Sequence, residues 1–265
     1  MNIFMREMKA YRKSLIIWCI GVILMVVAGM SKYSALGASG QSINDIVLKM
    51  PKSLQAVIGV GTLDLSKASG YYGVLFLYLA IMATIHAAML GANIISKEEG
   101  DKTAEFLMVK PISRNRIITS KLLAALSNIA IFNIITLVTS ISTVGHYGRG
   151  EAINQDIIIL MIAMFILQLI FLVIGTAIAA ISKNPKTATS ISTGILLSTF
   201  ILSILSDINS KFENLKYITP FKYYEAKKLM YGGGFEYVFV VLSIVIIGIL
   251  LSATYIFYKN RDLNV

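Results

Sequence analysis

Long apolar runs, separated by short polar stretches, dominate the chain. Six of them are long enough to cross a hydrocarbon core of about 30 Å, which takes ~17–25 helical residues: Leu15–Tyr33, Tyr71–Ile95, Leu122–Val144, Ile157–Ile181, Thr187–Leu205 and Tyr237–Tyr258. No repeat or low-complexity linker divides them. The pattern predicts an all-α membrane protein, one transmembrane domain over residues 1–265 with six transmembrane helices. Ahead of the first run, Phe4, Met8, Tyr11 and Leu15 recur at helical spacing, while Arg6, Lys9 and Lys13 fall on the other face. That is an amphipathic helix over 1–14, suited to lie in the membrane interface before the chain turns in, with Phe4, Arg6, Met8, Lys9 and Tyr11 as its marker residues.

The polar stretch between the second and third runs carries the most specific pattern. Gly100 can end the incoming helix, Asp101 or Thr103 can cap a short new one that Pro111 stops, and Ser113 can cap the third span. The short helix presents Phe106, Leu107 and Met108 beside Glu98, Glu99 and Glu105, with Arg114 just beyond. Apolar knobs ringed by carboxylates suit a docking surface for a basic-rimmed groove. Elsewhere, Ile43, Ile46, Val47, Met50, Leu54 and Val57 keep a rough helical spacing broken by Pro51, as an interfacial helix would. The segment from Asp207 to Glu236 is rich in Tyr and Lys, with Thr219, Pro220 and Phe221 as a candidate outer gate; its aromatics also suit the headgroup level.

Composition strengthens the membrane reading. The 265 residues are 56% hydrophobic and 14% charged, with mean hydropathy +0.74, against about 25% charged in ordinary globular chains. A soluble enzyme, a disordered linker, a collagen-like fibre and a nucleic-acid module are excluded. The net charge of +10 then fits basic loops at an anionic cytoplasmic leaflet rather than a nucleic-acid partner. Basic residues are denser in the segments holding Arg6, Lys9, Arg12 and Lys13, Lys97 to Lys121, Lys183 and Lys186, and Lys259 and Arg261. The positive-inside rule places these segments, and both termini, in the cytoplasm. The start of the chain is no tidy signal peptide and reads as a retained first span.

Apart from Lys32, next to the outer limit of the first run, the six spans contain no Asp, Glu, Lys or Arg, and no Gly-x-x-x-x-Gly-Lys-Ser/Thr loop occurs. Proton-driven transporters need an ionisable relay at depth, so the energy for any uphill transport is expected from outside this chain. Cys19 and the two histidines supply no disulfide framework and no metal site. Small residues recur at four-residue spacing in Ala83, Ala87 and Gly91, in Gly175 and Ala179, in Ser190, Gly194 and Ser198, and in Gly248 and Ser252. Each set permits close helix approach, within one subunit or between two.

The stretch Glu-Glu-Gly-x-Lys-Thr-x-Glu-Phe-Leu-x-x-x-Pro-Ile-Ser-Arg, followed by Lys121, resembles the inner loop of type-2 ABC exporter permeases. Tyr217–Tyr223 is similar to that family's Thr-Pro-Phe segment before the sixth span, and Phe257–Leu263 to its basic-Asp ending. The resemblance implies an N-terminal elbow helix, a coupling helix in the inner loop, and a permease that pairs as a homodimer or heterodimer in a bacterial cell membrane. It further implies separate ABC ATPase subunits that hold the ATP and Mg, with no cofactor on this chain. Spans without charge away from their ends favour an amphipathic or lipophilic cargo, such as a peptide antibiotic.

Two rival classes remain. One is a non-transporting membrane sensor or assembly subunit. The other is an intramembrane hydrolase, since Gly37-Ala38-Ser39-Gly40 looks like the Gly-x-Ser-Gly of rhomboid proteases and His86 is an available base. Ser39 follows the outer end of the first span, however, while His86 falls about 22 Å down the second at 1.5 Å per residue. That is beyond hydrogen-bond reach.

Overall fold

The protein is described from a computed structural model that covers residues 3–38, 43–60, 63–100, 112–148, 150–151, 153–182, 184–208 and 210–260. The helices are α1 (Ile3–Ala38), α2 (Ile43–Leu48), α3 (Lys52–Ile58), α4 (Ala68–Gly100), α5 (Arg114–Tyr147), α6 (Asn154–Ile181), α7 (Pro185–Ile208), α8 (Ala226–Tyr231) and α9 (Tyr237–Lys259). Two 3-10 turns, Ser210–Tyr217 and Pro220–Lys222, lie between α7 and α8. No strand occurs among the described residues. The fold is all-helical, and six of these helices are long and apolar enough to cross a membrane: α1, α4, α5, α6, α7 and α9. Each contains one of the six runs expected from the hydrophobic pattern.

The spanning helices do not share the interior equally. The most apolar windows of α4 and α6 are each 61% buried, against 17–33% for the other four. The α4–α6 pair is therefore the axis of the bundle. Two glycines make it close: a Cβ on Gly175 would stand 2.5 Å from the Ala88 carbonyl oxygen, and one on Gly91 would strike the Leu172 carbonyl. Around this axis α5 packs on α1, α9 on α6, and α7 on α4. Ile16, Ile17, Ile20 and Leu24 of α1 stay more than half exposed, as a lipid-facing stripe requires.

Length separates the helices into two groups. At about 1.5 Å per residue α1, α4 and α5 run to roughly 50–54 Å, well past a hydrocarbon core of about 30 Å. They overshoot at a shared end, where the start of α1, the end of α4 and the start of α5 converge; this is termed the loop end. The amphipathic segment expected as a separate interfacial helix over 1–14 is the first part of α1, with no break before the first span. Nothing at its junction favours one: residues 12–18, Arg-Lys-Ser-Leu-Ile-Ile-Trp, contain no Gly or Pro to end a helix. The predicted stripe survives within it. Phe4, Met8 and Tyr11 pack on the buried cluster of Leu90, Ile94 and Ile118, and Lys9 is exposed.

At the opposite end, α2 and α3 are separated at Pro51, as the broken spacing foretells. Gly59 ends α3 in the left-handed region at φ 76°, where its N–H donates to the Ala56 carbonyl. Tyr33 ties α1 to this end by donating its hydroxyl to the Ser66 carbonyl at 3.0 Å.

Candidate functional site

The candidate docking region begins where α4 leaves the bundle and ends where α5 re-enters it. Ser113 caps α5 as expected, its side chain accepting from the Arg116 N–H. Glu105, Phe106, Leu107 and Met108 lie outside the described residues, and so does the side chain of Glu99. The two roots of the loop hold an internal charge cluster rather than a solvated rim.

Glu98 is the centre of that cluster. It is 6% exposed, so it does not stand in the outward-facing carboxylate ring proposed from the loop pattern. The helix rotates it inward, one turn below buried Ile94. Its Oε1 accepts from Arg6 Nη2 at 2.5 Å and its Oε2 pairs with the ammonium of Lys121. Lys121 has no exposure and also donates to the Ile94 carbonyl at 2.5 Å. Arg6 bridges on to Glu7, with Nη2 at 2.7 Å and Nε at 3.1 Å from Oε1. Two cations and two carboxylates thus cancel in formal charge, which permits burial that a lone ion would not tolerate. Arg6, expected on the solvent face of an amphipathic helix, serves here as the bridge between α1 and α4.

Apolar contacts close the same corner. Half-buried Ile112 on the returning chain packs against the buried pair of Ile3 of α1 and Ile117 of α5. Lys97 Nζ stands 5.3 Å from the centroid of the Tyr11 ring. Arg114, assigned to the docking face, donates from Nη1 to the Lys259 carbonyl at 2.9 Å, tying α5 to the last turn of α9. Thr119 and Tyr255 share a hydroxyl hydrogen bond at 2.8 Å a turn further on.

Glu7, Ile112 and Lys121 join this corner without having been assigned to the docking face, although Ile112 and Lys121 belong to the loop pattern itself. A signal for Glu7 and Lys121 was present. Glu7 sits on the stripe of Phe4, Met8 and Tyr11, and Lys121 follows Ile117 at i+4, so each charge occupies a position whose helical neighbours are apolar.

At the far end, Thr219, Pro220 and Phe221 are all buried. The Phe221 ring lies 5.3 Å from that of Phe171 and 5.4 Å from that of Phe200. Phe171 is about 26 Å along α6 from Asn154 at 1.5 Å per residue. The segment therefore dips between the helices instead of resting at headgroup level. Lys222 anchors it through ion pairs with Asp207 and Glu225, and Tyr223 stacks on Phe239 at 4.9 Å. Tyr224 and Ser243 share a hydroxyl hydrogen bond at 2.7 Å.

A sequence model described as ABC-2 family transporter protein matches residues 1–263. The chain belongs to the ABC-2 transporter family. No curated protein matches it. This ABC-2 protein is a multi-pass membrane protein, and its family is one of transport components rather than enzymes. The rival base, His86, is 3% exposed and enclosed by rings: Phe132 stacks on it at 5.2 Å and Trp18 tilts against it at 5.4 Å. It packs α4 against α1 and α5. Ser39 lies outside the described residues.

Proposed function

We propose that the chain is the membrane-embedded permease subunit of an ATP-driven exporter, with its loop end in the cytoplasm. Separate ABC ATPases hold ATP and Mg and dock on the loop between α4 and α5, through Phe106, Leu107 and Met108 with Glu99 and Glu105 around them. The observation that carries this reading is the construction of the loop roots. A peripheral loop needs no buried, charge-balanced foundation spanning three helices, whereas a loop that receives force does. A second permease subunit, identical or related, completes the transport path. The exposed Ser190, Gly194 and Ser198 on α7 support such pairing, because a Cβ on Gly194 meets nothing within 4 Å. Thr219, Pro220 and Phe221 act as the outer gate, and the cargo is amphipathic or lipophilic, in keeping with the apolar spans.

Co-purification tests the docking. An ABC ATPase retained by the wild-type chain is expected to be lost, or its hydrolysis uncoupled from transport, in Phe106→Ala, since truncating a buried interface anchor costs about 2 kcal/mol or more. Glu105→Gln is expected to do less, because a rim charge is worth about 0–1 kcal/mol. Wild-type association and transport in Phe106→Ala would remove the loop from the docking face. Labelling of a cysteine at position 110 by an impermeant reagent in intact cells would reverse the orientation.

A further inference from the structure

Three features converge on the first two turns of α1. Arg6 reaches the carboxylate of Glu98 at the end of α4. Ile3 packs with Ile112, where the chain returns toward α5. Tyr11 lies beneath the ammonium of Lys97. The departing and returning roots of the loop are thus both fastened to one helix, and that helix continues without a break to Ala38 at the opposite end of the bundle. There Tyr33 bonds to Ser66, two residues before α4 begins.

We infer that Arg6 is a positioning residue that clamps the α4 root of the loop to α1 directly, and the α5 root through Glu98 and Lys121, so that the two roots and α1 move as one body during transport. The inference rests on the docking reading above only for the source of the motion; the clamp itself is a property of this chain.

The chemistry separates Arg6 from its partners. Removing Glu98 leaves Lys121 buried and without a carboxylate, so that change tests folding as much as mechanism. Removing Arg6 leaves the Glu98–Lys121 pair intact and neutral, and α4 stays joined to α5. The ion pair from α1 to α4 is lost and buried Glu7 loses its cation, so the thermal midpoint is read beside the geometry, while the contacts of Ile3 and Tyr11 with the roots remain. Arginine also suits the position better than lysine: its planar fork addresses Glu7 and Glu98 together, whereas an ammonium is a single point charge. Arg6→Lys is therefore expected to restore part of what Arg6→Gln loses.

The test uses the full chain with Cys19→Ala and cysteines at positions 3 and 112. In the purified permease, mild oxidation is expected to join the two cysteines readily. Arg6→Gln is expected to slow the joining about ten-fold or more, as loss of a charge-assisted hydrogen bond worth ~1.5–3 kcal/mol predicts, and Arg6→Lys to lie between. The thermal midpoint of each variant separates loosened geometry from general unfolding. Failure to form the disulfide, or an unchanged rate in Arg6→Gln, overturns the clamp. In a second arm the permease is assembled with its ATPase, trapped with MgATP and vanadate, and probed by thiol labelling of a cysteine at position 32, on exposed α1 surface at the far end. Trapping is expected to change that labelling in the wild-type background, to leave it unchanged in Arg6→Gln, and to change it again once the 3–112 disulfide is closed. Loss of ATP hydrolysis on closing the disulfide would show that the clamp must open and would overturn the one-body motion. If the wild-type permease binds no ATPase, the docking reading falls and the first arm alone decides the clamp.

Discussion

Two sets of small residues, alike in the sequence, have opposite fates in the bundle. Ala87 and Gly91 on α4 pack against the stretch of α6 that holds Gly175 and Ala179, and the backbones approach until an added Cβ on Gly175 would meet the Ala88 oxygen at 2.5 Å and the Ala92 nitrogen at 2.8 Å. Ser190, Gly194 and Ser198 on α7, and Gly248 and Ser252 on α9, lie on exposed faces, where a Cβ on either glycine meets nothing within 4 Å. Spacing alone permits close approach in both places. Apolarity does not decide between them, since α9 is more apolar than α4 and yet its window is only 17% buried against 61%; what decides is whether a neighbouring helix stands in register with the small residues.

The sharpest way to break this contrast is Gly175→Val. The obstacle it creates is backbone on a neighbouring helix, so the cost is expected to exceed the ~1–3 kcal/mol usual for overpacking. Little monodisperse protein should survive size-exclusion chromatography in detergent. A folded, wild-type-stable Gly175→Val would mean that α4 and α6 stand further apart than described.

The loop end of the same axis offers a chemical counterpart. Glu98→Gln, which leaves the Lys121 ammonium without its carboxylate, is expected to cost about 3–5 kcal/mol. Glu98→Gln combined with Lys121→Met removes both charges and should recover most of the loss, read as thermal midpoints. Additive losses in the double variant would argue that the two residues are not paired.

On the open face, Gly194→Leu is expected to leave the stability of the single chain within about 0.5 kcal/mol. If α7 receives a second subunit, the same change should shift the oligomer distribution measured by mass photometry. An unaltered distribution would point the pairing seam elsewhere.

The smallest effect is expected in the surface layer over this axis. The hydroxyl of Ser66 and the amide of Asn44 both donate to the Asp64 carboxylate, joining α2 to the start of α4, and these bonds hold its pKa below the ordinary carboxylate value. A carboxyl with a folded pKa below its unfolded one contributes stability above the ordinary range near 4, lost as pH falls through the folded value. Hydrogen-exchange protection in α2, corrected for the intrinsic rate at each pH, should fall on acidification in the wild type. In Asp64→Asn it should lose that pH dependence.

Six spans were legible because lipid demands a long apolar helix for every crossing, and Pro51 and Ser113 mark helix starts by local rules. The charge cluster was harder to see. The spans chosen from hydropathy stop at Ile95 and start at Leu122, so Glu98 and Lys121 fell outside them by a few residues. The helices continue past those limits and carry both charges into the interior. Pairing over long sequence separations, as between Arg6 and Glu98, leaves no local trace. The re-entry of Phe221 was hidden for a related reason: Thr-Pro-Phe reads as a loop, and only its neighbours Phe171 and Phe200 reveal how deep it sits. The unbroken α1 was legible in retrospect, from the lack of any Gly or Pro between its polar and apolar parts.

That unbroken helix has a mechanical meaning. A rod of about 54 Å held in a membrane about 30 Å thick is a lever with the bilayer as its fulcrum. Pivoting by roughly 10° about its midpoint would carry each tip about 5 Å, close to the ~5.4 Å pitch of one helical turn. An applied push of a few ångströms at Arg6 would therefore return as a displacement of equal size and opposite direction at Tyr33, with no change in the shape of the helix. A hinge between residues 12 and 18 would cancel that transmission, and replacing two adjacent residues there by Gly-Pro, which adds no residue and keeps the register, would take the lever out of action while both of its ends keep their contacts.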